Sequence, residues 1–60
     1  MTEHELAQAE LDDWRRILEA WVTVRAKTGS RRAEFQVRAA VWRVRAAEAR
    51  LGQLLGHRAA

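Results

Sequence analysis

The sequence predicts an all-α fold, a two-helix antiparallel hairpin within one domain over residues 1–60, with helices over about 3–27 and 31–56 and a turn at 28–30. Three observations point there. One cluster of turn residues, Thr28-Gly29-Ser30, interrupts the chain near its midpoint. Apolar residues recur at helical spacing on both sides of it. The chain also contains no proline, so nothing forbids long uninterrupted helices.

Thr2-Glu3-His4-Glu5 has the spacing of a capping box, in which the Thr2 hydroxyl accepts from the Glu5 backbone while the Glu5 carboxylate reaches back. Helix 1 is therefore expected to begin there. Its acidic first turns suit the positive end of the helix dipole, and Arg25 and Lys27 fall in the last turn, where cations are favoured. At 100° per residue, Leu11, Trp14, Ile17, Leu18, Trp21 and Val22 share one face. Gly29 can adopt the positive φ of a helix stop, and Ser30 can cap a second helix.

Helix 2 carries two apolar stripes. The main one, Ala33, Val37, Ala40, Val41, Val44, Ala47, Leu51, Leu54 and Leu55, repeats as a near-heptad row and is expected to face helix 1. The second, Phe35, Ala39, Trp42, Ala46 and Ala49, lies on roughly the opposite side, with Arg38 and Arg45 on one flank and Arg43 and Arg50 on the other. A hairpin gives helix 2 a single neighbour, so this stripe is expected to be a partner interface, for a homo-oligomer or a larger protein assembly. The alternative is that its alanines are ordinary exposed helix formers and Trp42 a lone surface aromatic.

The middle of the chain admits a second reading. Val22-Thr23-Val24-Arg25-Ala26 and Ala33-Glu34-Phe35-Gln36-Val37 alternate apolar and polar, and a turn at residues 27–30 would pair Val24 with Ala33 and Val22 with Phe35. The alternative fold is thus α+β, a helix–β-hairpin–helix. It requires breaks near residues 20 and 39, where the sequence has no Gly, Pro, Asn, Asp or Ser.

Arg31-Arg32-Ala33-Glu34-Phe35 after a glycine-containing turn resembles the second hairpin strand of the gpW-like head-to-tail joining (head completion) proteins of tailed phages. The opening Met1-Thr2-Glu3, Val22-Thr23-Val24 and the amphipathic run from Val41 to Leu55 are similar to the family's first helix, first strand and closing helix. Ala33 stands where that family usually has a branched aliphatic. The resemblance implies a virion component that docks in a ring beneath the portal and connects the packaged head to the tail.

Composition excludes much else. Among 60 residues there is no Cys, Tyr or Asn and a single Ser, Ser30, so most nucleophilic toolkits are missing and no enzyme, cofactor, small-molecule substrate or disulfide is expected. The apolar runs are too short for a membrane span, and the basic-free first 13 residues do not resemble a signal peptide. A cytoplasmic location, or a virion for a phage-encoded chain, is the expectation. The net charge of +3 conceals a gradient, with −5 over residues 1–14, +5 over 15–32 and +3 over 33–60. Ten of the eleven bases are Arg, the residue suited to forked pairing with carboxylates or phosphates.

Arg25, Lys27, Arg31 and Arg32 form a basic tip at the turn that could hold a phosphate or an acidic partner next to the helix 2 N-terminus. The bland reading is four solvated charges on an exposed turn. A dimeric helical bundle that binds nucleic-acid backbone non-specifically through its arginines is accordingly the alternative function. No aromatic sits at the tip to stack on a base, and only Gln8, Gln36 and Gln53 could supply amide recognition. His4, His57 and Glu3 or Glu5 lack metal-site spacing, so no metal is expected. Trp14 and Trp21 are read as core, and Asp12–Arg16 and Glu34–Arg38 as i,i+4 ion pairs.

Overall fold

The computed structural model describes residues 1–56, which form two long helices, α1 (Glu3–Thr28) and α2 (Arg31–Gly56), linked by Gly29 and Ser30. The helices lie side by side in a rod of 45 × 21 × 12 Å. At about 1.5 Å per residue, 26 residues span close to 39 Å, so each helix runs nearly the whole length.

Local chemistry sets both ends of α1 and the start of α2. Thr2 is extended, and its Oγ1 accepts from the Glu5 N–H at 3.1 Å. The Glu5 carboxylate turns back, but it accepts from the Thr2 hydroxyl, at 3.2 Å, and not from the Thr2 backbone. At the other end Gly29 takes the left-handed conformation, φ 62°, and its N–H donates to the Arg25 carbonyl at 2.8 Å. The Thr28 hydroxyl donates to the Val24 carbonyl at 2.8 Å and accepts from the Ser30 N–H at 3.3 Å. Ser30 Oγ then accepts from the Ala33 N–H at 3.0 Å, which caps α2.

A Cβ on Gly29 would meet nothing within 4 Å, so the requirement for glycine is purely conformational. Gly29→Ala is therefore expected to cost about 1–2 kcal/mol, the price of a left-handed L-residue. Urea unfolding checks this, and a synthetic chain with D-alanine at the same position should recover the loss. An L-alanine variant as stable as the wild type would mean that the turn does not hold this conformation.

The alternative fold, helix–β-hairpin–helix, is not what forms. Residues 22–28 and 31–37 are helical, and there is no strand among the described residues. The strands implied by the gpW resemblance are absent for the same reason. Nothing near residues 20 or 39 breaks a helix, and the helical path gives Ala33 and Val37 a buried face.

Ala7 and Leu11 of α1 are buried, together with Ala33, Val37, Ala40, Val44 and Ala47 of α2. Leu11, Val44 and Ala47 form the centre of the core, with Trp14, Leu18 and Leu51 packed against them. Of these seven buried residues four are alanine, two are valine and one is leucine. Small side chains let two helix axes approach toward the near end of the usual 8–10 Å.

The predicted faces are right in direction and too wide. Trp14, Leu18 and Trp21 are half-buried, whereas Ile17 and Val22 are exposed. On α2, Val41, Leu51 and Leu54 are half-buried, and Leu55 is exposed. Ala7, which the sequence reading left out of the core, is buried.

Candidate interaction surface

Phe35, Trp42 and Ala49 stand seven residues apart on α2, and Ala39 and Ala46 fall four residues after the first two. At 100° per residue these five occupy an arc of about 80°. Ala33, Val37, Ala40, Val44 and Ala47 occupy the opposite side, against α1. The stripe thus points away from the only neighbour α2 has in the hairpin. Phe35 is 68% exposed and Trp42 71%, the highest values among the large apolar residues after Met1. Ala46 and Ala49 are exposed, while Ala39 is half-buried, a correction to its place in a wholly outward stripe.

Arginines border the stripe on both sides. Arg31, Arg38 and Arg45 recur every seven residues along one edge, and Arg43 and Arg50 do so along the other. Several are held in place. Arg38 pairs with Glu34 at 3.4 Å, the i,i+4 contact expected from the sequence. Arg50 reaches across to Glu10 of α1 at 3.4 Å. The Arg43 guanidinium lies 5.5 Å from the centre of the Trp14 ring, a cation–π distance. Arg45 has no ion-pair partner among the described residues.

A second interhelix pair, Arg15 with Glu48 at 3.3 Å, completes the bracing. These pairs are half exposed or more, so each is worth about 0–1 kcal/mol. The expected Asp12–Arg16 pair does not form: Arg16 reaches Asp13 at 3.4 Å, and Asp12 accepts from the Gln8 side-chain amide at 3.1 Å. Sequence reasoning missed both interhelix pairs and the Arg43–Trp14 stack. Counting outward from the turn in both directions would have found Glu10 opposite Arg50, since the two are equidistant from residue 30.

Chain order places the four residues of the basic tip on either side of the turn. Arg25 and Lys27 lie in the last turn of α1, Arg31 and Arg32 in the first turn of α2, and all four are exposed. None has a carboxylate within ion-pair distance among the described residues. Arg31 and Arg32 sit at the positive end of the α2 dipole, an arrangement that costs a few tenths of a kcal/mol or more each unless an anion is near. His4 is exposed and His57 lies outside the described residues, so the structure does not test their approach. Among the described residues no three His, Cys, Asp or Glu side chains converge. Among the described residues neither α1 nor α2 is long and apolar enough to cross a membrane. Comparison of the chain with known protein families, with curated proteins and with solved structures finds no match.

Proposed function

We propose that this chain is a non-enzymatic assembly element that docks on other protein through the outer face of α2, with Phe35, Ala39, Trp42, Ala46 and Ala49 as the contact row. One observation carries the reading: the two large aromatics of α2 face solvent one heptad apart, while the buried residues of the same helix are all alanine or valine. A chain selected only to fold alone would place its phenylalanine and tryptophan in the core, where each would stabilise it by about 1.5–3 kcal/mol. Joining head to tail in a phage particle is one setting for such an element. It is supported only by the residues that resemble gpW, and these adopt helix where that family's strands were implied.

Photo-crosslinking tests the docking. With benzoylphenylalanine at position 42, irradiation in the producing cells should yield a discrete larger adduct, and the same group at the exposed Thr23 should not. Absence of any adduct at position 42 overturns the proposal.

A second reading rests on the four basic residues at the tip that have no carboxylate partner among the described residues: backbone contact to nucleic acid through Arg25, Lys27, Arg31 and Arg32. Such binding is expected to weaken steeply with salt, with a log–log slope of about −0.9 per phosphate neutralised on a duplex. Gel retardation at low salt checks it. Failure to retain duplex DNA or RNA at tens of micromolar, within the usual non-specific range of roughly 1–100 µM, removes this reading.

A further inference from the structure

Resting on the docking reading, we infer that the occupant of the α2 outer face is a helix of another protein whose apolar row is bordered by glutamate or aspartate, and not a second copy of this chain.

The spacing identifies the occupant as a helix. Phe35, Ala39, Trp42, Ala46, Ala49 and Gln53 are separated alternately by four and three residues, the a/d pattern that presents one helix to another. Two aromatic knobs stand among alanines, which leaves shallow room for a neighbouring backbone to approach between them. A surface for stacking single-stranded bases needs aromatics and cations but has no use for an alanine row at this period.

The edges identify its charge. In heptad terms Arg38 and Arg45 occupy the position before Ala39 and Ala46, Arg31 lies one heptad earlier on the same edge, and Arg43 and Arg50 follow Trp42 and Ala49, with Gln36 in the corresponding place after Phe35. Those are the sites that face a partner helix's flanking residues and set partner choice. Glu34 and Glu10 offset Arg38 and Arg50, so the border retains the charges of Arg31, Arg43 and Arg45. The guanidinium of Arg43 is already positioned by its stack on Trp14, so a carboxylate meeting it does so with less ordering cost.

The same edges reject a second copy. An antiparallel self-pairing centred near Val44 would match sizes well, with Trp42 opposite Ala46 and Ala39 opposite Ala49. It would also set Arg43 against its own counterpart and Arg45 against its own. Parallel pairing would instead bring Arg38 toward Arg43 and Arg45 toward Arg50. Both juxtapose like charges across a partly desolvated boundary, which selects against that partner. The acidic half of α1 in a second copy does not solve this, because Glu10 and Asp13 interrupt the line of its exposed Leu6, Ile17 and Val24.

The test uses the full chain and two labelled synthetic peptides of about four heptads, both with a Leu/Ala a/d row, one with Glu and the other with Lys at every flanking position. Fluorescence anisotropy is expected to show the Glu peptide binding roughly tenfold or more tighter than the Lys peptide, with the difference shrinking at high salt. Trp42→Ala should weaken the Glu peptide roughly tenfold, as truncation of a central aromatic anchor does. Arg45→Glu, at an exposed site with no intramolecular ion pair among the described residues, should narrow the preference for Glu over Lys while leaving the helical signal unchanged.

Equal affinity for the two peptides, or no binding of the Glu peptide at about 200 µM, a level that still detects weak helix-in-groove contacts, overturns the inference. So does a dimer in sedimentation that Trp42→Ala dissolves, since the occupant is then a second copy. Binding of oligo-dT that depends on Trp42 overturns it in favour of nucleic acid. A photo-adduct at position 42 together with failure of the Glu peptide leaves the docking reading standing and removes only the acidic helix.

Discussion

Leu11→Ala is expected to unfold much of this chain. Leu11 is 2% exposed and stands at the centre of the core with Val44 and Ala47. Removing it costs the transfer energy of three carbons plus that of the space left behind, about 2–5 kcal/mol for a buried leucine. Native chains hold about 0.05–0.15 kcal/mol per residue, so a 60-residue chain has roughly 3–9 kcal/mol to lose. No second buried leucine compensates: Leu18 and Leu51 are already only half-buried, and the other buried residues are alanine or valine. Thermal unfolding followed by far-UV circular dichroism should show a large fall in the midpoint, or loss of a cooperative transition. A variant that melts within a few degrees of the wild type would show that Leu11 does not lie at the helix–helix contact.

Ala33→Leu should be nearly as damaging for the opposite reason. Ala33 has no exposed surface at all, and it lies in the first turn of α2, where the two-residue link holds the helices close. Overpacking of this kind costs about 1–3 kcal/mol, and here the short link prevents the helices from spreading to relieve it. Ala46→Leu makes the same chemical change on the exposed side of α2, where a substitution is expected to shift stability by about 0.5 kcal/mol or less. The comparison of the two variants in urea therefore reads out which side of α2 meets α1. Equal midpoints would contradict the assignment of the faces.

The contrast between those alanines bears on function. The inner row of α2 is small, as a close helix contact requires, whereas the outer row mixes alanine with Phe35 and Trp42, which remain 68% and 71% exposed. Bulk on the outside and smallness on the inside is the reverse of what a self-sufficient small domain does with its aromatics. Both the docking reading and the acidic-helix inference rest on that inversion. They fail separately, since the photo-adduct at position 42 tests only the first.

Much of the architecture is decided by local chemistry that can be read along the chain. Thr2 with Glu5 begins α1, Gly29 ends it, and Ser30 begins α2, each through a side chain or a backbone conformation that needs no distant partner. Helical periodicity likewise separates the two stripes of α2, because the angle between residues is a property of the helix alone. What packing decided is how much of each stripe is buried. Two cylinders touch along a narrow line, so Ala7 and Ala33 on that line are covered, while Ile17, Val22 and Leu55 at its margins remain in solvent. The cross-helix partners also depended on packing. Glu10 meets Arg50 and Arg15 meets Glu48 only once the short link has set the register, because a charge on one helix is indifferent to the other until their separation is fixed.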